Sequence, residues 1–81
     1  MQENVFDIYR SAERISARLA LDGRPAWAES IREAISGGAT GTEILMRLRW
    51  ALRQLRESDV ACDELITVLD ELLNDIEAKL A

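Results

Sequence analysis

The chain has 81 residues, with 10 Lys and Arg against 15 Asp and Glu, and a formal net charge of −5 at pH 7. Hydrophobic residues make up 48% of it, enough for one domain with a modest core and too much for a disordered polyelectrolyte. There is no histidine and only one cysteine, which excludes histidine-based acid–base or metal chemistry and any internal disulfide.

The single thiol suits a reducing cytoplasm. The first residues hold charges at Glu3, Asp7, Arg10, Glu13 and Arg14, and no apolar run approaches the roughly 20 residues of a membrane span. The reading therefore expects neither leader peptide nor membrane helix, and a cytoplasmic protein. With four aromatics only (Phe6, Tyr9, Trp27, Trp50), the core must come from Leu, Ile, Val and Ala.

The first predicted helix covers about 4–21. Val5, Phe6, Tyr9, Ala12, Ile15 and Leu19 recur at three- and four-residue steps, and Asn4 is placed to cap the first free amides. Asp22-Gly23 ends it, since glycine tolerates the left-handed conformation beyond a helix terminus. Pro25 opens a second helix over about 25–36, where its missing N–H costs nothing, with Trp27, Ala28, Ile31, Ala34 and Ile35 on one side. Gly37-Gly38 stops that helix.

A third helix is expected over about 42–57. Thr40 and Glu43 have the spacing of a capping box, with Thr42 as a competing cap. Ile44, Leu45, Leu48, Ala51, Leu52 and Leu55 form its core face. Opposite that face, Met46, Trp50, Arg53 and Glu57 make a second, narrower surface. Two readings account for it: helix three lies at the centre and is covered on both sides, or Met46 and Trp50 meet a partner, as Trp, Met and Arg do in interface cores.

The fourth helix, expected over about 59–80 with Ser58 or Asp59 as cap, carries an apolar stripe of Cys62, Leu65, Ile66, Leu69, Leu72, Leu73, Ile76 and Leu80. On that stripe Cys62 reads as a buried structural thiol. Four helices with short connections and no strand-like alternation predict an all-α fold, a small antiparallel four-helix bundle in a single domain spanning 1–81.

Charge is distributed unevenly. From Asp59 onward there are seven acids (Asp59, Asp63, Glu64, Asp70, Glu71, Asp75, Glu77) against Lys79, a net of −6. The third helix has four arginines (Arg47, Arg49, Arg53, Arg56) against two glutamates, a net of +2. Asp63, Asp70 and Glu77 share one flank of the fourth helix, and Glu64, Glu71 and Asp75 the other. A solvated face is the plain reading of any one acid. Part of the charge can pair with the third helix, but the surplus suits attraction of a basic partner.

Catalysis has no support, because no Ser/His or Cys/His constellation exists. No cofactor or metal is expected. Gly37-Gly38-Ala39-Thr40-Gly41 leads into a helix start but lacks the lysine of a phosphate loop, so it reads as connector and cap. Helix two, a turn and arginine-bearing helix three share the outline of a helix-turn-helix. The negative net charge and the spread of the arginines around the helix argue against nucleic acid.

The stretch from Ala26-Trp27-Ala28-Glu29-Ser30-Ile31 through Gly37-Gly38-Ala39-Thr40-Gly41-Thr42-Glu43-Ile44-Leu45-Met46-Arg47-Leu48-Arg49-Trp50 resembles short bacterial helical proteins of unassigned function. In size, acidity and helicity the whole chain is similar to small bacterial immunity proteins, which bind and block a cognate toxin. That resemblance, which carries no site residues with it, implies an inhibitor; the uncompensated acid on the fourth helix then points to Asp63, Glu64, Asp70, Glu71, Asp75 and Glu77, with Trp50 and Met46, as the residues that cover a basic surface. The alternative from a different class is a self-associating structural or regulatory protein, a homodimer with the fourth helix's stripe at the seam. A small DNA-associated regulator is a third and weaker alternative.

Overall fold

In the computed structural model, which describes residues 5–81, four α-helices follow one another: α1 (Val5–Leu21), α2 (Pro25–Ser36), α3 (Gly41–Arg56) and α4 (Asp63–Leu80). Among the described residues there is no strand. The expected Asn4 cap lies outside the described residues.

Each helix packs on its neighbour in sequence, and α4 returns to α1. The directions follow from specific contacts. Ser16 of α1 donates to the Ala28 carbonyl of α2. Gly37, just past α2, lies against Arg47 of α3. Arg56 and Arg53, going back along α3, meet Asp70 and Glu77, going forward along α4. All neighbours therefore run antiparallel, and the protein is a small all-α helical bundle. The core draws on all four helices, with Ile8, Ile31, Leu48, Leu52, Leu55, Leu69 and Ile76 excluded from solvent.

Local chemistry explains the turns. Gly23 sits at φ 77°, the left-handed position that any side chain would strain. Thr40 caps α3: its hydroxyl accepts from the Glu43 amide at 3.2 Å. The Glu43 carboxylate reaches back one residue beyond the usual box, accepting from the Ala39 amide at 3.1 Å. Gly38 is needed for space, not for φ. A Cβ there would lie 2.5 Å from Ile44 Cγ1 and 3.0 Å from the Ile44 nitrogen.

Five sequence expectations are corrected. α4 begins at Asp63, four residues later than the spacing suggests, with Cys62 in the cap position. Ser58 does not cap α4 because its hydroxyl is already used. It donates to the Leu55 carbonyl at 2.6 Å and accepts from the Val60 amide at 3.3 Å, which closes α3. Cys62 is consequently exposed, not part of the buried stripe. Phe6 does not join the core face of α1; it is 66% exposed and meets Tyr9 edge-on, at 6.3 Å between ring centroids. Ile8 and Ser16 are buried on α1 in addition to the expected stripe, and Tyr9 packs half-buried against the core as expected. Finally, α3 is not covered on both sides, because its outer surface is open to solvent.

Candidate functional site

α3 divides the molecule's surface chemistry. Its core face is buried through Leu45, Leu48, Ala51, Leu52 and Leu55. At 100° per residue, Arg49, Arg53 and Arg56 fall on the flank toward α4, and Arg47 on the flank toward α2. Met46 and Trp50 point outward between them, 50% and 65% exposed. A tryptophan this open is unusual, since burying its indole is worth more than burying any other side chain in so small a domain.

The α4 flank is closed by charge pairs. Arg56 Nε donates to Asp70 Oδ1 at 2.5 Å, and its Nη2 to Oδ2 at 3.3 Å. Arg53 Nη2 donates to Glu77 Oε1 at 2.6 Å, while Arg49 Nη1 lies 3.6 Å from Glu77 Oε2. The two-pronged hydrogen bond from Arg56 holds the Asp70 carboxyl below the usual aspartate range and raises the guanidinium in turn. These side chains are roughly half exposed, so their value lies in fixing the register of α4 on α3 more than in bulk stability.

The acids expected to act together are thus placed on different surfaces. Asp70 and Glu77 are engaged by arginines of α3. Glu64 and Glu71 line a groove between α1 and α4. Asp63 stands exposed in the first turn of α4, and Asp75 is half-buried. Among the described residues, Asp63, Glu64, Glu71 and Asp75 form no ion pair, so these four acids are left unneutralised. Trp50 and Met46 are separated from all of them by the arginine row.

What Met46 and Trp50 do join is a groove of about 500 Å³ between α2 and α3. Its floor is made of the small residues Ser30, Ala34 and Ala51, which leave a channel where larger side chains would have filled the seam. Glu33, Glu43 and Arg47 stand at its edges, so it offers an apolar channel with two carboxylates and one guanidinium at the rim. Arg47 also packs over Gly37 at the C-terminal end of α2, where a cation is favoured by the helix dipole. Sequence reasoning missed Ser30, Glu33 and the groove itself. The available signal was Ser30 and Ala34, two small residues one helical turn apart facing the helix that bears Trp50.

No group of three or more acids and cysteines that could hold a metal ion occurs among the described residues. No helix among them is long and apolar enough to cross a membrane. The chain matches no protein-family model, no curated protein and no solved structure.

Proposed function

We propose that this chain acts by binding another protein, without catalysis of its own, and that it docks through the α2/α3 groove with Met46 and Trp50 at its mouth. The carrying observation is the 65% exposure of Trp50 beside a channel floored by small residues. An exposed Trp and Met next to an unfilled channel are the residue types that become buried anchors when an interface forms.

The partner this surface suits is basic. Glu33 and Glu43 outnumber Arg47 at the rim of the groove, and the Trp50 ring is an open platform for a guanidinium or ammonium group. The unpaired acids Asp63, Glu64, Glu71 and Asp75 lie elsewhere, so they serve by their field, raising the rate of encounter. An immunity-type inhibitor of a basic toxin in the cytoplasm is the sharpest form of this reading. It is supported by the surplus of acid and the similarity in physique to such proteins.

The test begins by recovering the stoichiometric partner of the tagged protein from its native cells and identifying it by mass spectrometry. Purified partner is then titrated against wild type and Trp50→Ala, with the indole emission as one readout. Loss of a hot-spot anchor should weaken binding about 30-fold, the equivalent of about 2 kcal/mol. A partner that binds Trp50→Ala and Met46→Ala as tightly as wild type would refute the assignment of this groove.

A further inference from the structure

The seam between α1 and α4 is the lightest packed of the four in the bundle, and it leaves a groove of about 430 Å³. Val68 stands in it 45% exposed, above Ile15 and Leu19 of the core and beside the half-buried Leu65. The two walls differ in sign. α1 supplies Arg14 and Arg18, and α4 supplies Glu64 and Glu71. No ion pair crosses the groove: Arg18 pairs at 3.4 Å with Asp22, which follows α1 and also lines the groove, so among the described residues Arg14 is the unpaired cation of that wall, and Glu64 and Glu71 have no ionic partner.

We propose that this groove is the interface for a second copy of the chain, paired about a two-fold axis that runs along the groove. Such an axis carries each wall onto the opposite wall of its partner at the same height. The basic α1 wall of one copy then faces the acidic α4 wall of the other, twice, while the two Val68 side chains cover each other's apolar floor. This self-complementarity selects a second copy over other occupants. A uniformly basic partner would be repelled by Arg14 and Arg18, and a uniformly acidic one by Glu64 and Glu71. Helix directions agree as well, since α1 of one copy would lie antiparallel to α4 of the other, the arrangement already used within the bundle.

The size suits a weak, reversible dimer. The groove runs along residues 11–22 and 62–71, about 18 Å of helix, and two adjacent helices span about 20 Å, giving a footprint on the order of 360 Å² per copy. Two copies then bury about 700–800 Å² in total, the range of transient contacts and not of tight ones. The apolar stripe of α4 itself is not the seam, because Leu69, Leu72, Leu73 and Ile76 are buried within their own chain. The interface uses the flank of α4 and leaves the α2/α3 groove free for a different partner.

Sedimentation equilibrium on the wild-type chain, from micromolar to near-millimolar concentration at low salt, should show the mass rising from 9.1 kDa toward twice that value. Raising the salt should weaken the association. Glu64→Lys with Glu71→Lys, or Arg14→Glu with Arg18→Glu, should each raise the dissociation constant at least tenfold, and Val68→Glu should do the same. Mixing the two charge-reversed variants in equal amounts should restore the dimer, because each then supplies both walls with the complement of the other. Circular dichroism on each variant should show the wild-type helix signal, because the substituted positions are exposed. A wild-type chain that stays monomeric throughout would overturn the proposal. So would a dimer indifferent to these variants, which would place the seam elsewhere. Failure of the mixture to recover what each variant lost would also overturn it.

Discussion

Gly38 in the α2–α3 connection and Gly41 at the first position of α3 should respond in opposite directions to the same change. At Gly38 an added methyl lies 2.5 Å from Ile44 Cγ1, 3.0 Å from the Ile44 nitrogen and 3.1 Å from its Cα. The last two are backbone atoms in the first turn of α3, and they move only if the whole helix start moves. Forcing a methyl into such a site costs about 1–3 kcal/mol. At Gly41 the nearest atom is the Tyr9 hydroxyl at 3.9 Å, and φ is not positive. Alanine there meets nothing and restricts the unfolded chain, a gain of about 0.4–1 kcal/mol. A domain of 81 residues is stabilised by only about 4–12 kcal/mol in total, so both effects are large enough to measure. With a urea slope near 1 kcal/mol per molar, the unfolding midpoint should fall by about 1–3 M for Gly38→Ala and rise by about 0.4–1 M for Gly41→Ala. Urea titration followed by circular dichroism at the helix band reads both. A Gly38→Ala midpoint within a few tenths molar of wild type would show that α3 does not seat as closely on the connection as described. The α2/α3 groove depends on that seating, so its geometry would be in question too.

Folding lowers the pKa of Asp70 through its hydrogen bonds from Arg56. Its contribution is therefore complete above the ordinary aspartate value of about 4 and is lost as pH falls through the lower folded value. The urea midpoint of Asp70→Asn should accordingly fall less steeply between about pH 5 and pH 2 than that of wild type; identical slopes would show that the pair is not formed in solution. Cys62, exposed at the start of α4, should react with a thiol reagent in the native protein at nearly the rate seen in urea, whereas strong native protection would return it to the core.

Much of the fold was legible because helix formation is local. The bounds of α2 follow from Pro25 and Gly37, and the Thr40 cap with Glu43 was readable as a capping box. Ala28, Ile31, Leu48, Leu52, Leu69 and Ile76 were assigned to the core by spacing alone and are buried. The start of α4 was misread because two capping candidates, Ser58 and Asp59, precede a stretch whose apolar period continues backward through Cys62. Neither caps α4: the Ser58 hydroxyl is engaged with the end of α3, and Cys62 stands in the cap position. Ser16 gave no signal at all: a serine on a helix face is ordinary, and its burial is tolerated because Ala28 on a different helix offers a carbonyl at 3.0 Å.

The sequence by itself determined that this is an all-α protein of four amphipathic helices, since the 3.6-residue period and the caps act within a turn or two of each residue. It also determined the excess of acid on the last helix, which is simple arithmetic. Only the tertiary structure decided where that acid goes. Asp70 and Glu77 are drawn to arginines of α3, while Glu64 and Glu71 face a groove beside α1. The same holds for Trp50, which periodicity placed on the back of α3 without saying whether another helix covers it. The reason is that a helical wheel fixes the direction of a side chain relative to its own axis. Which neighbour stands in that direction depends on how small residues such as Ser30, Ala34 and Ala51 let the helices approach, and that is a property of all four packed together.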